Sequence, residues 1–314
     1  MSVLDELGYR VELTSTEYVL STLKNFLKTS SEEEFLEHYL YTVDKVLSNR
    51  PSNYGCINAL KALGTYILEN PGFSLEDVFK IVNELINVID NACTQSAIIA
   101  SNRINNEDVL MTNSRSLCLQ RMFRALIDRG INVKVYVLES RPGMEGLETA
   151  KWLDDNGLET YLIIDSATRF FIKNVDKVII GAEAVAANGA VISKVGTSLL
   201  SLIANEARVR VLVVSPMYKF SYETVFGETF KIVEGDWKYL MSSEVRRNLP
   251  ENYSVYVPLF DITPPEYIDA LVTEYGLFSP QALAVIAKQT YWFKYGASNL
   301  EEIVGKIKKN FFNR

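Results

Sequence analysis

Short apolar segments alternate with amphipathic segments from residue 108 onward, and this alternation constrains the fold more than any other feature of the chain. A continuous apolar run is typical of a strand that is covered on both faces of a sheet. The apolar runs are residues 109–111, 133–138, 161–164, 178–180, 209–214 and 254–257. Helical periodicity occupies residues 117–127, 146–153, 167–172 and the stretch from residue 198. The repetition predicts an α/β fold with a doubly wound, mostly parallel sheet.

The chain before this region has helical patterns. Thr14 is followed three residues later by Glu17, a hydroxyl and a carboxylate at the spacing of a capping box. Ser74 follows a Pro-Gly break and begins a further helix. Residues 100–108 are polar, as expected of the junction between two domains. We therefore predict an all-helical N-terminal part that ends near residue 106.

The stretch 178–197 places polar side chains directly after a predicted buried strand. Glu183, Asn188 and Lys194 lie in the loop between this strand and the next helix. In open α/β sheets, ligands bind in the crevice at the carboxyl ends of the strands, which makes this loop a candidate site. The alternative is that Asn188 and Gly189 only form a turn and that Lys194 faces solvent.

The other loops that follow strands bring further charged groups to the same rim. Ser114 and Arg115 follow the first predicted strand, Arg141 the second and Lys219 a later one. Clustered cations and helix N-termini favour a local anion pocket, and a phosphorylated small molecule fits it. Neither the dinucleotide fingerprint nor the P-loop spacing occurs in the sequence, so a dehydrogenase and a P-loop hydrolase are disfavoured.

Composition excludes several other classes. The net charge of -7 argues against a general nucleic-acid binder. The chain has one histidine and three widely separated cysteines, so we expect no metal site and no disulfide framework. We also expect no bound cofactor. No apolar run approaches the length of a membrane span and no signal peptide is visible, which indicates a cytoplasmic protein.

Three motifs in order resemble a known family. GAEAVAANGAVISKVGT (181–197), ESRPGMEG (139–146) and FDITPPEYID (260–269) are similar to the translation initiation factor 2B alpha/beta/delta-subunit family. Its superfamily also contains methylthioribose-1-phosphate isomerase and ribose-1,5-bisphosphate isomerase. The resemblance implies a helical domain over residues 1–106, a Rossmann-like domain over residues 107–314, and a homodimer formed through the latter.

The resemblance also implies where catalytic groups would lie. In the isomerase branch a cysteine and an aspartate shuttle protons, and these positions fall on Ser114 and Glu183 in this chain. Those isomerases carry a glycine-rich phosphate loop near the N-terminus, but this chain has no glycine between Gly8 and Gly55. A serine hydroxyl is a far weaker acid than a thiol, and the longer glutamate displaces its carboxylate.

These departures favour a non-catalytic regulatory protein that resembles the initiation factor 2B alpha subunit. Such a protein binds the alpha subunit of initiation factor 2 and retains a pocket for a sugar phosphate or a nucleotide monophosphate. The predicted ligand-binding residues are Arg50, Ser114, Arg115, Arg141, Glu183, Asn188, Lys194 and Lys219. The alternative is an aldose–ketose isomerase of a phosphorylated sugar such as ribose 1,5-bisphosphate. In that case Glu183 is the base and Ser114 is a hydrogen-bond donor.

Overall fold

The N-terminal part of the chain is helical. The computed structural model describes residues 13–312 except 228, 251 and 297, so the first twelve residues of the predicted helical domain lie outside the described part. The four helices are α1 (Ser15–Phe26), α2 (Glu32–Asn49), α3 (Tyr54–Glu69) and α4 (Leu75–Ser101). The predicted helix starts at Thr14 and Ser74 are both confirmed, because Thr14 forms a capping box with Glu17 and Ser74 forms one with Asp77.

The predicted α/β fold is confirmed by a seven-stranded sheet with strand order β10-β9-β7-β4-β1-β2-β3. The strands are β1 (Val109–Thr112), β2 (Lys134–Leu138), β3 (Glu159–Ile163), β4 (Lys177–Gly181), β7 (Arg210–Val214), β9 (Ala270–Thr273) and β10 (Gly276–Phe278). All neighbouring pairs are parallel except β9 with β10. The stretch that follows β4 therefore leaves the sheet near its centre.

Both faces of the central strands β1, β4 and β7 are buried, which explains why these strands are mostly apolar. Leu110, Ile179 and Leu212 belong to one core cluster together with residues of α4. Their neighbours Met111 and Val178 belong to the other cluster. Because successive side chains of a strand point to opposite faces, this alternation shows two separate layers of packing on the sheet.

Helices and short strands complete the second half of the chain. The helices are α5 (Leu117–Asp128), α6 (Gly146–Asp155), α7 (Thr168–Phe171), α8 (Thr197–Ala207), α9 (Ser243–Arg247), α10 (Leu283–Ala287), α11 (Phe293–Gly296) and α12 (Leu300–Ile307), with several short 3₁₀ segments between them. A second, antiparallel sheet has strand order β5-β6-β8, formed by β5 (Ala184–Val185), β6 (Val191–Lys194) and β8 (Phe260–Thr263).

The second sheet corrects two sequence-based predictions. Residues 184–194, expected to be loop, form a β-hairpin that pairs with β8. Residues 254–257, expected to be a strand, are irregular. The run 254–257 predicts a sheet strand, but the strand in this part of the chain begins only at Phe260.

Contacts between the two halves are extensive. Helix α12 packs on α3, so the C-terminus of the described chain returns to the N-terminal helices. Cys93 of α4 and Cys118 of α5 form a disulfide, which the sequence analysis did not expect. One core cluster contains residues from both halves. The predicted boundary between residues 106 and 107 falls between α4 and β1, and the division into two domains stays a prediction.

The described chain contains no helix that combines the length and the apolar character needed to cross a bilayer. The cytoplasmic location stays a prediction. Within the same described residues, no group of three or more histidine, cysteine or acidic side chains is arranged to hold a metal ion.

The first residue of α6 is Gly146, and the surrounding backbone leaves no space for a side chain there. This close packing gives a test of the fold. A Cβ on Gly146 would lie 1.8 Å from the carbonyl oxygen of Leu138, a backbone atom that cannot rotate away. We expect Gly146→Ala to lower the free energy of unfolding by about 1–3 kcal/mol, the usual cost of overpacking. Gly72→Ala is the control, because nothing lies within 4 Å of its Cβ position. Equal melting temperatures for the two variants would contradict this packing.

Candidate active site

A cleft opens beside the central strands of the sheet, and the space between its walls, including the part open to solvent, is about 540 Å³. Its walls come from the N-terminus of α1, the loop between β1 and α5, the hairpin of the second sheet and β8. The lining residues are Leu13, Thr14, Ser15, Thr16, Arg50, Asn113, Ser114, Arg115, Ser116, Leu117, Glu145, Gly181, Ala182, Glu183, Ser193, Lys194, Lys219 and Phe260.

The loop after β1 holds Ser114 in a fixed conformation. Ser114 has a positive φ of 57°, which is uncommon for a residue with a side chain and costs about 1–3 kcal/mol. Its N–H donates to Ser140 Oγ at 2.6 Å, and its carbonyl accepts from the Thr149 hydroxyl at 2.6 Å. The neighbouring Asn113 amide donates to Thr197 Oγ1 at 2.8 Å. These bonds keep the strained residue at the wall of the cleft.

A bidentate ion pair crosses the cleft from the helical half to the hairpin. Arg50 Nε donates to Glu183 Oε1 at 2.7 Å, and Arg50 Nη2 donates to Glu183 Oε2 at 3.0 Å. The guanidinium also lies over the rings of Tyr18 and Phe260, at 5.2 and 5.9 Å from their centroids. Paired, planar contacts of this kind fix the orientation of an arginine.

Two further cations of the cleft also have carboxylate partners. Lys194 Nζ lies 2.6 Å from Glu145 Oε1 and 5.1 Å from the centroid of Phe260. Arg115 Nη2 donates to Glu17 Oε1 at 2.7 Å. Buried or half-buried charges are tolerated when they are paired, so these carboxylates allow the cations to be held beside the cleft.

Lys219 is the most deeply buried cation of the cleft. It is 2% exposed, and its Nζ donates to the carbonyl oxygen of Ala182 at 2.8 Å. Burial lowers the pKa of Lys219 to about 8, although the charge of Glu183 acts in the opposite direction. A lysine with this pKa changes its charge near neutral pH, which is typical of functional sites.

The structure brings six of the eight predicted ligand-binding residues to the cleft. They are Arg50, Ser114, Arg115, Glu183, Lys194 and Lys219. Their roles in binding stay predictions, but their convergence on one cavity follows from the topology. Five belong to loops, strand ends or 3₁₀ turns of the C-terminal half, whereas Arg50 comes from the end of α2.

Arg141 and Asn188 lie elsewhere. The Arg141 backbone N–H donates to Asp165, and its Nη2 donates to the carbonyl of Leu240 at 2.9 Å. Asn188 is exposed at the tip of the hairpin, where its Oδ1 accepts from the N–H of Ala190. The turn that the sequence analysis left as an alternative is therefore present, whereas Lys194 faces the cleft.

Several lining residues were not singled out from the sequence. Thr16 lines the cleft from the first turn of α1, and its hydroxyl hydrogen-bonds with that of Tyr218 at 2.6 Å. Glu145 and Phe260 also line it. Glu145 and Phe260 lie within the motifs 139–146 and 260–269, so the motifs held a signal for them. No sequence motif indicated that Thr16 belongs to the site, because only the tertiary fold brings α1 to the rim of the cleft.

Comparison with known proteins decides the family. The sequence model of the initiation factor 2 subunit family matches residues 13–280. The chain belongs to that family. It is 34% identical over 285 residues to the ribose 1,5-bisphosphate isomerase of Archaeoglobus fulgidus, which is 91% of this chain and 89% of that protein. It is 37% identical to the ribose 1,5-bisphosphate isomerase of Pyrococcus furiosus over 87% of this chain and 86% of that protein.

A solved structure shows the same fold. The translation initiation factor eIF-2B of Pyrococcus horikoshii OT3 superimposes with a TM-score of 0.72, covering 88% of this chain and 95% of that one. The two chains are 24% identical, so this likeness is evidence for the architecture. It agrees with the predicted order of an all-helical part followed by a Rossmann-like sheet.

The relatives correct the functional assignment made from the sequence. The prediction of a regulatory, non-enzymatic initiation factor 2B-like subunit is wrong, because similar proteins with nearly full coverage are named as isomerases. Serine at position 114, glutamate at position 183 and the missing glycine-rich loop do not exclude membership of the isomerase branch. The alpha subunit of initiation factor 2 as a partner stays a prediction that depends on the abandoned assignment.

The pKa of Lys219 predicts how anion binding depends on pH. A bound phosphate favours the ammonium form, so affinity should be high below a pH of about 8 and should fall as Lys219 loses its proton. We expect the dissociation constant for ribose 5-phosphate to rise roughly tenfold from pH 7 to pH 9. Calorimetric titration measures it, with Lys219→Arg as the control that keeps its charge over this range. A constant affinity in the unmodified chain would contradict a role for Lys219 in binding.

Proposed function

We propose that this protein is an aldose–ketose isomerase of a phosphorylated pentose, with ribose 1,5-bisphosphate as the first candidate substrate. The main support for the proposal is the buried carboxylate of Glu183, which lies in a cleft lined by more cationic than acidic side chains. Four cationic and two acidic side chains line the cleft, in a chain whose net charge is -7. The isomerases to which this chain is similar match nearly its whole length.

The cationic lining suits a phosphate ester. Arg50, Arg115, Lys194 and Lys219 surround the cavity, and guanidinium and ammonium groups are the side chains that bind phosphate best. The N-terminus of α1 also meets the cleft at Thr14, where the helix dipole adds partial positive charge. The cleft therefore favours a substrate with more than one negative charge.

The chemistry needs one base and one or more hydrogen-bond donors. In the conversion of ribose 1,5-bisphosphate to its ketose isomer, the C1–O4 bond breaks, hydrogen moves from C2 to C1, and the proton of O2 ends on O4. Glu183 can take the C2 proton and return it to C1, and Ser114 and Lys219 can donate to sugar oxygens. The formula does not change, so the reaction requires no oxidant and no water.

Replacement of the base tests this assignment. We expect Glu183→Gln to lower kcat for ribose 1,5-bisphosphate by about 10²–10⁴, the usual contribution of a positioned proton-transfer group. Formation of the ketose is followed by a coupled assay or by NMR. Glu206→Gln is the matched control, because Glu206 is exposed and pairs only loosely with Arg169, at 3.7 Å. No turnover in the unmodified protein across a panel of pentose phosphates would overturn the proposal.

We also propose a homodimer formed through the C-terminal half. An exposed apolar patch, the α7–α8 patch, consists of Tyr161, Phe170, Leu199 and Leu202. Ring contacts connect Tyr161 to Phe170 through Tyr136 and Phe171, and α7 packs against α8. Exposed apolar side chains on neighbouring elements often mark a protein interface, and a second copy of the chain can cover them.

The α7–α8 patch gives a test of the dimer. Light scattering on the eluted protein is expected to give twice the chain mass of 35.5 kDa. Phe170 is 77% exposed, and Phe170→Glu should convert the dimer to monomers by placing a charge in the interface. Val285→Glu alters another exposed apolar residue, 62% exposed and outside the patch, and should leave the mass unchanged. A dimer that survives Phe170→Glu unaltered would place the interface elsewhere.

A further inference from the structure

The proposed base is bound by an arginine of the same cleft. Both oxygens of Glu183 accept hydrogen bonds from Arg50, at 2.7 and 3.0 Å. The carboxylate is 4% exposed and the arginine side chain 15%. Arg50 is anchored independently, since its Nη1 donates to the carbonyl of Leu13 at 2.9 Å. Contacts with the rings of Tyr18 and Phe260 restrict it further.

This pairing limits the carboxylate as a base. Each oxygen of Glu183 already accepts a charge-assisted hydrogen bond, so while Arg50 is in place only the remaining lone pairs of the carboxylate are open to a proton from carbon. The Arg50 donors form a planar fork, and a phosphate group offers the same two-oxygen geometry with a higher charge. Glu183 and a phosphate are thus alternative partners for one guanidinium.

We propose that Arg50 and Glu183 form a latch, in which a phosphate monoester competes with Glu183 for the Arg50 fork and its binding releases the carboxylate to act as base. This inference rests on the proposed isomerase function, because it names Glu183 as the base. It makes Arg50 a phosphate-binding residue that also controls the release of Glu183. It also predicts that a sugar without a phosphate leaves the latch closed, which couples substrate choice to catalysis.

The surroundings of the pair favour such an exchange. Lys219 donates to the carbonyl of Ala182, the residue before Glu183, and the two charges are close enough for Glu183 to influence the pKa of Lys219. A carboxylate released from Arg50 therefore remains beside a second cation. Lys194 and Arg115 have Glu145 and Glu17 as partners, so the release of Glu183 need not disturb their pairs.

A double-mutant cycle on phosphate binding tests the latch. Calorimetry with inorganic phosphate compares the unmodified chain, Glu183→Gln, Arg50→Met and the double variant. We expect Glu183→Gln to tighten phosphate binding about tenfold when Arg50 is present, because the competitor is removed. In the Arg50→Met background the same change should alter affinity less than about threefold. An equal gain in both backgrounds indicates simple charge repulsion by Glu183 and overturns the latch, as does no gain in either.

If Arg50→Met does not fold, as judged by thermal melting, Arg50→Lys replaces it in the double-mutant cycle. Lysine retains the charge but lacks the fork, so the gain from Glu183→Gln should again be reduced, and an undiminished gain contradicts the latch. The cycle measures binding alone. A coupled cycle in a protein without isomerase activity would show that phosphate and Glu183 exchange at Arg50 but would refute the proposed function and the role of Glu183 as base, whereas turnover without coupling would refute only the latch.

Discussion

The ion pair between Arg50 and Glu183 joins two segments that are 133 residues apart in the chain. It links the end of α2 to the hairpin that follows the central strand β4, and the cleft lies between them. Because a charge removed from water needs a partner, each member of the pair makes the burial of the other tolerable. The geometry of the cleft therefore depends on both halves of the molecule being in place.

The same constraint shapes the rest of the cleft. Three of the four cations that line it are each paired with a carboxylate, contributed by Glu183, Glu145 and Glu17. Lys219 instead donates to a backbone carbonyl, and burial lowers its pKa to about 8. The cleft thus contains cationic side chains with which an anionic ligand can pair. In the proposed function, an anionic ligand competes with these carboxylates for the cations.

The mistaken regulatory assignment shows the limits of judging a site residue by residue. Serine in place of cysteine at Ser114 and glutamate in place of aspartate at Glu183 each weaken a proton-transfer group taken alone. A missing glycine-rich loop added to that impression. The folded chain surrounds the same two side chains with four cations and a helix N-terminus. The similarity to isomerases over most of the chain outweighs the two substitutions.

The sequence by itself determined the alternation of strands and helices, the helix starts at Thr14 and Ser74, and six of the eighteen residues that line the cleft. These features depend on local patterns and on the rule that parallel strands end at one rim. Only the tertiary structure decided that Arg50 pairs with Glu183, that α1 closes the cleft, and that residues 184–194 form a hairpin with β8. Contacts between distant segments depend on how the layers pack, and the order of residues along the chain does not encode that packing in a local pattern.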